Sequence, residues 1–322
     1  MTVPSRPLQR ILLWHRPLVL LVAAMVLLVP VALVGLVVDD RVLVGAPIWL
    51  KPLKFALSLA LYGLTLAWML SLLRRGRRWG ARMGTVVAVA GAIEMVIIVG
   101  QVLRGRQSHF NGQTMFDTVL FFVMAATITV LWVANLVIAV LLLRERLVDR
   151  PTAWAIRLGL LVAAAGMAVG FLMVGPTAEQ RAARPVTMLG AHTVGAPDGG
   201  PGLPLTGWST TAGDLRVPHF VGMHALQVLP LFALALVALA PRLARLRDER
   251  VRVRLVLTAA VSHAGLVTVL LWQALRGQSL AHPDALTAAG FAAVAVVTLG
   301  ATALALSGGR RVGTGVPVAT RP

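Results

Sequence analysis

Residues Pro17 to Val38 read PLVLLVAAMVLLVPVALVGLVV, 22 positions without a charged or hydrogen-bonding side chain. As a helix rising 1.5 Å per residue this is about 33 Å long, enough to cross a hydrocarbon layer of roughly 30 Å. Seven similar stretches follow: Leu53 to Leu73, Gly84 to Leu103, Met115 to Leu143, Leu158 to Gly175, Pro218 to Ala240, Leu255 to Leu275 and Ala285 to Leu306. They predict an all-α fold, a polytopic integral membrane protein with eight transmembrane helices. Composition agrees, at 58% apolar and 13% charged residues, because a soluble core could not hide so much apolar surface. The first stretch exceeds a signal-peptide h-region and has no small-residue cleavage site, so it is read as an uncleaved span.

The net charge of +18 suggests a nucleic-acid partner until the positions are read. Of the 30 Lys and Arg, 21 fall in the N-terminus, the loops Arg74 to Arg82, Arg144 to Arg157 and Arg242 to Arg254, and the tail. These segments share one side of the spans. The other side holds nine: Arg41, Lys51, Lys54, Arg104, Arg106, Arg181, Arg184, Arg216 and Arg276. A basic excess in alternate short loops is the positive-inside pattern. It predicts the lipid bilayer and not nucleic acid as partner, with both termini cytoplasmic. The wealth of Ala, Val, Leu, Gly and Arg resembles a GC-rich bacterial gene, hence a bacterial cytoplasmic membrane. With no cysteine, disulfides, thiolate metal sites and cysteine nucleophiles are excluded.

Before the fourth stretch the chain reads Gln101-Val-Leu-Arg-Gly-Arg-Gln-Ser-His109, and before the eighth Gln273-Ala-Leu-Arg-Gly-Gln-Ser-Leu-Ala-His282. Arg104 and Arg276 are separated by nearly the same offset as Pro47 and Pro218, each proline ahead of a polar-headed span. At a shorter offset Leu20-Leu-Val-Ala-Ala24 returns as Leu160-Leu-Val-Ala-Ala164, the difference being taken up by the long loop after the fifth span. This predicts two four-helix halves, 1–150 and 151–306, with a disordered cytoplasmic tail at 307–322. Four spans per half bring both copies in from the same side, so the repeat is parallel. Biased composition is the alternative source of the shorter matches. The long loop, 176–217, is extracytoplasmic and holds APDGGPGLP at Ala196 to Pro204, too rich in Gly and Pro for a helix. It is either a lid over a cavity or a solvated connection.

Lys51 and Lys54 are the only lysines in a chain of 28 arginines. With Ser58, Tyr62 and Thr65 they recur at helical spacing, a polar stripe on one face. The lysines either snorkel to the interface or contact an anion. Glu94 is the only acid at its depth, with Gln101 on the same face, and an ionisable group there is a functional-site hypothesis. His263 lies near the repeat-equivalent depth, which predicts a Glu94 and His263 pair, buried or proton-coupling. The sixth stretch opens with Arg216, His219, His224 and Gln227, and Phe220, His224 and Gln227 share a face. Histidines five apart do not make the zinc pair of a hydrolase, so no metal is assigned. The depths of His224 and His263 differ, leaving haem as an open cofactor question. Asp117 and Asp284 are expected to cap their helices. Gly166 and Gly170 make a small-xxx-small pair suited to close packing.

The run Thr206 to Gln227, with Ser108-His-Phe-Asn111 and Trp272 to Gln278, resembles segments of uncharacterised polytopic bacterial membrane proteins. The likeness covers most of the chain and implies a membrane fold but no chemistry. No GxSxG, P-loop, HExxH, GxGxxG or CxxC pattern occurs. Lys51, Lys54, Gln101, Arg104, His109, Arg216, His219, His224, Gln227 and Arg276 are expected together near the outer membrane face. The function expected from them is outward-facing binding or translocation of a small anionic solute. An enzyme or haem redox protein acting on an amphiphilic substrate at that face is the alternative, as is a sensor or scaffold without chemistry.

Overall fold

The computed structural model describes residues 14–147, 149–183 and 185–307; the tail from 308 onward lies outside them. Among the described residues eight helices are long and apolar enough to cross a membrane. They are built from α1 (Arg16–Val38), α2 (Leu50–Ser71), α3 (Arg77–Leu103), α4 (Met115–Arg144), α5 (Arg150–Ala168), α7 (Arg216–Met223) with α8 (Ala225–Leu239), α9 (Glu249–Leu275) and α10 (Ala285–Ser307). A five-residue helix, α6 (Ala178–Ala182), lies in the long loop. The arginine-bearing starts of α3, α5 and α9 extend about two turns ahead of the apolar stretches. Helix α2 starts at Leu50, ahead of the apolar stretch, so both Lys51 and Lys54 stand inside its first two turns.

Local signals explain the starts. His15 and Asp149 cap α1 and α5 by accepting the N–H of Leu18 (3.4 Å) and Thr152 (2.8 Å). Pro17 and Pro151 follow, where a missing N–H costs nothing. When Arg16 is set against Arg150 at these starts, the Leu20 and Leu160 runs fall out of register. Pro47 belongs to a hairpin strand, and the proline matching Pro218 is Pro52, since each is third in its helix.

In the first half α1 packs on α2 and α3 on α4, while α3 also touches α1 and α2. In the second, α5 packs on α7 and α8, and α9 on α10, while α9 also touches α5, α7 and α8. The two sets of helix pairs correspond one to one. The halves meet where α4 lies on α5 and α2 on α8. There Trp132 Nε1 donates to Ala164 O at 3.1 Å and its ring meets Phe171 edge-on. One core runs from Leu18, Leu66 and Ile98 through Ile138 and Leu142 to Ile156, Leu160 and Leu226 across this seam; a second lies around Leu229, Val251 and Val256.

Helix α5 crosses the sixth span through glycine. A Cβ on Gly166 would lie 2.4 Å from the backbone carbon of Gly222, so the backbones touch and no larger residue fits. The span is broken next to this crossing, at His224. Helix α10 buries only Thr287 and Ala305 and leaves Leu286, Val296, Leu299 and Leu304 exposed.

The long loop is built rather than loose. Its strands β3 (Thr193–Val194) and β4 (Gly213–Asp214) pair antiparallel. A smaller hairpin, β1 (Val42–Leu43) and β2 (Ala46–Pro47), precedes α2. The hairpin turns at Val44 and Gly45, both at positive φ as a two-residue type I′ turn requires. A Cβ on Gly45 would lie 2.5 Å from Gly199 O, so the hairpin tip abuts the long loop. A third apolar cluster, Phe110, Phe121, Val169, Met173, Leu215 and Ala274, lies beneath that loop and joins both halves.

Candidate functional site

Three residues of the expected belt belong to two matching corners. Helices α3 and α9 end at Arg104 and Arg276, each followed by a left-handed glycine, Gly105 or Gly277. In both, the N–H two residues past the cap returns to a glutamine carbonyl, Arg106 N to Gln101 O and Gln278 N to Gln273 O. This is the Schellman arrangement. The glutamine amides also correspond, Gln101 donating to Gln107 O and Gln273 to Ser279 O. Both arginines stack on an aromatic ring, Phe116 or Trp272.

The caps differ from expectation. Asp284 does cap α10, accepting Thr287 N at 2.8 Å, and pairs with Arg276. Asp117 does not cap α4. Thr114 does, and Asp117 stands third in the helix, fully buried, accepting from Gln101 (2.9 Å), Arg104 (2.7 Å) and Thr114 (2.7 Å). The first corner thus reads Thr-x-x-Asp where the second reads Asp-x-x-Thr. Gln101, Arg104 and Arg276 are engaged in closing these corners.

The polar groups of the sixth and seventh spans hold backbone or one another. His219 Nδ1 donates to Gly166 O at 2.8 Å, beside the glycine crossing. His224 Nδ1 lies 3.2 Å from Gln227 Oε1, and His263 Nε2 donates to Val221 O at 2.9 Å, near the break. The expected Glu94 and His263 pair does not form, because α3 stays inside the first half and α9 inside the second, with no substantial contact between them. Glu94, 2% exposed, accepts from Thr127 Oγ1 at 2.7 Å instead. Its other oxygen is buried with no hydrogen-bond partner among the described residues.

What remains converges at the seam between the halves. Lys54 of α2 donates to Thr206 O at 2.9 Å, and Arg216 of α7 donates to the neighbouring Gly207 O at 2.6 Å while gripping buried Asp214 through two nitrogens. The loop is therefore strapped down by one cation from each half through adjacent carbonyls. Three residues before Lys54 on α2 stands Lys51, half-buried, its ammonium 5.9 Å from the Phe55 ring centroid. Arg41, Lys54, Arg104, Arg106, Arg181, Arg216 and Arg276 all donate to an acid, amide or carbonyl. Among the described residues Lys51 alone of the cations at this end has no hydrogen-bond partner. The charges acting on it are those of Lys54, Glu94, Arg216 and Asp198.

An aromatic and imidazole row leads away from Lys51. Phe55 meets His109 edge-on, His109 meets Phe110, and Phe110 meets His192 at 4.8 Å between centroids. Burial, with the nearby charges of Lys51 and His192, pushes the His109 imidazole well below its ordinary value. His192, from the long loop, is lowered by burial against the opposing pull of Asp198. Its Nδ1 lies 2.8 Å from Asp198 Oδ2, and Asp198 also accepts the backbone N–H of His192 and Thr193. Burial pushes the Asp198 carboxyl up, but His192 and these N–H groups more than offset it and hold it well below the carboxylate range.

His192, Asp198 and the Thr206 and Gly207 carbonyls were not singled out in the sequence. A histidine and an aspartate six apart around Gly195 and Pro197 was the available signal. An open cleft of about 540 Å³ also occurs at this end, lined by Thr210, Arg276, Gln278 and His282, but its guanidinium is the one Asp284 holds. Among the described residues no group of three His, Cys, Asp or Glu converges as metal ligands do. Comparison of the chain with protein-family profiles, curated proteins and solved structures found no match.

Proposed function

We propose that this is a multi-pass protein of the bacterial cytoplasmic membrane with both termini in the cytoplasm, and that it binds or translocates a small anionic solute from the outside, at Lys51. Membrane insertion is supported by eight apolar helices and by 21 of 30 basic residues lying on one side. Side chains such as Leu299 of α10, 70% exposed, need a lipid solvent. Two parallel four-helix repeats are supported by the corresponding helix contacts and the matching corners.

The two halves differ in the polar groups they carry. With Pro52 set against Pro218, Lys51 stands opposite Val217 and Lys54 opposite Phe220. With Arg104 set against Arg276, Glu94 stands opposite Leu266, and with Met115 set against Ala285, Thr127 stands opposite Val297. The corners are doubled; these polar groups are not. The observation that carries the proposal is Lys51 itself, an ammonium with no hydrogen-bond partner among the described residues, one helical turn from the Lys54 that holds the loop. A partly buried cation without a partner is costly unless water or a ligand completes it. Glu94, acted on by Lys51, supplies a carboxyl that can exchange a proton when an anion neutralises the ammonium. It is assigned to Lys51 here and not to His263.

A charge-assisted hydrogen bond contributes about 1.5–3 kcal/mol, or roughly 10- to 150-fold in affinity. With the full chain in lipid nanodiscs, equilibrium binding of chloride, acetate, sulfate and inorganic phosphate should show at least one saturable anion. Lys51→Gln should weaken it by about that factor. Arg276→Gln should leave it nearly unchanged. Absence of saturable binding by all four anions, or full affinity in Lys51→Gln, rules the proposal out.

A further inference from the structure

On the arginine-rich side of the spans two connections are joined into one surface. Glu145, directly after α4 and 4% exposed, accepts the backbone N–H of Arg74 and of Arg75 at 2.9 and 3.0 Å. Leu141 of α4 packs on the same connection, since a Cβ on Gly76 would lie 2.9 Å from its Cδ2. The acid is therefore occupied by main chain, and the guanidinium groups around it stay free. Arg74, Arg75, Arg77, Arg78 and Arg82 are all exposed, as are Arg144 and Arg146 on either side of Glu145. Among the described residues none of these side chains has a hydrogen-bond partner. Trp79 stands in their midst, 56% exposed, with the Arg82 guanidinium 5.3 Å from its ring centroid. It lies on α3 ahead of Gly84, where the apolar stretch begins, by about 7.5 Å of helix rise, which is headgroup depth. We infer that this surface, the Arg74 to Arg82 connection joined by Glu145 to Arg144 and Arg146, binds the headgroup of an anionic phospholipid.

Like charges held together repel one another, and a ligand of opposite sign relieves the repulsion. Guanidinium groups take phosphate oxygens through paired N–H donors, while an exposed indole at headgroup depth packs on the glycerol and first acyl carbons. Phosphate beside apolar carbon is what a phospholipid offers and a free phosphate ion does not. The matching connection of the second half, 241–254, is also basic but is built differently. Asp248 and Glu249 interrupt its arginines, Arg247 and Arg252 donate to Pro241 O and Leu246 O of their own connection, and it contains no aromatic residue. Orientation in the membrane needs only the charges, which both connections supply. The exposed indole and the inward-turned acid belong to the first alone.

The inference is independent of an anion at Lys51. It is tested with the full chain in detergent micelles, titrated with phosphatidylglycerol or with phosphatidylcholine of the same acyl chains, bound lipid being read by native mass spectrometry. Phosphatidylglycerol should be favoured by roughly tenfold or more. An arginine near an anionic lipid surface contributes about 1 kcal/mol, or roughly fivefold. Arg77→Gln with Arg78→Gln should therefore weaken phosphatidylglycerol by about 10- to 30-fold and leave phosphatidylcholine nearly unchanged. Arg242→Gln with Arg245→Gln, the same loss of charge at the other connection, should change phosphatidylglycerol by less than about threefold. Trp79→Ala should weaken both lipids. Equal affinity for the two lipids overturns the inference, and so do equal losses from the two arginine pairs. Displacement of the lipid by soluble glycerol phosphate at matched concentration would make the ligand a free phosphate, and displacement by polyglutamate an acidic protein segment; either result overturns the lipid assignment.

Discussion

Asp117 and Asp284 show how residues of one type, at related places, do different work. Asp117 is fully buried among Gln101, Arg104 and Thr114, whereas the Asp284 side chain is 41% exposed and caps a helix. Removing a buried acid strands its donors; removing an exposed cap costs about 1 kcal/mol. Arg104 can turn toward water, which moderates the loss at Asp117 to about 2 kcal/mol. Asp117→Ala should therefore destabilise the protein in detergent roughly twice as much as Asp284→Ala, measured by reversible unfolding. Equal costs would contradict the distinction. Sequence placed both acids at helix starts correctly but could not tell cap from third residue, because Thr114 and Asp117 compete for the same N-terminal N–H groups.

Helices were legible because a bilayer demands about 20 apolar residues whatever the neighbours, and each run declared itself. The break at His224 and the strapped loop were not, since both depend on tertiary contacts far off in sequence, Gly166 against Gly222 and Lys54 against Thr206. Glycine spacing in α5 did signal close packing, without naming its partner. Gly166→Ala should lower the thermal midpoint, at a cost of about 1–3 kcal/mol, as the added methyl meets backbone. Gly100→Ala, in α3 with nothing within 4 Å of the new methyl, should be neutral or stabilising by up to about 1 kcal/mol. The loop also carries a pH dependence. Unfolded His192 and His109 take protons near 6.5, whereas the folded groups need a lower pH. Between those values the unfolded chain holds more protons, so stability falls as pH drops below 6.5. Asp198, held below the carboxylate range, stays ionised across that window. The thermal midpoint should fall from pH 7.5 to 5.5, and His192→Gln should remove part of the fall while His109 keeps the rest. A midpoint that rises on acidification would contradict this.

Across the whole molecule, alternating arginines gave the expectation of sidedness and the doubled corners gave that of two halves, because both are written in local sequence. How the halves differ in their polar groups was hidden. The ten-residue belt looked uniform until partners within the protein took up every member but Lys51 among the described residues. An outward-facing Lys51 is the claim on which the proposed binding depends. The chain has no cysteine, so Lys51→Cys introduces a single thiol without further engineering. Its reaction with a membrane-impermeant thiol reagent, in intact cells and in inverted membrane vesicles, tests that claim most directly. The thiol should be modified from outside intact cells and spared in inverted vesicles; modification only in the inverted vesicles, or in neither preparation, would contradict it.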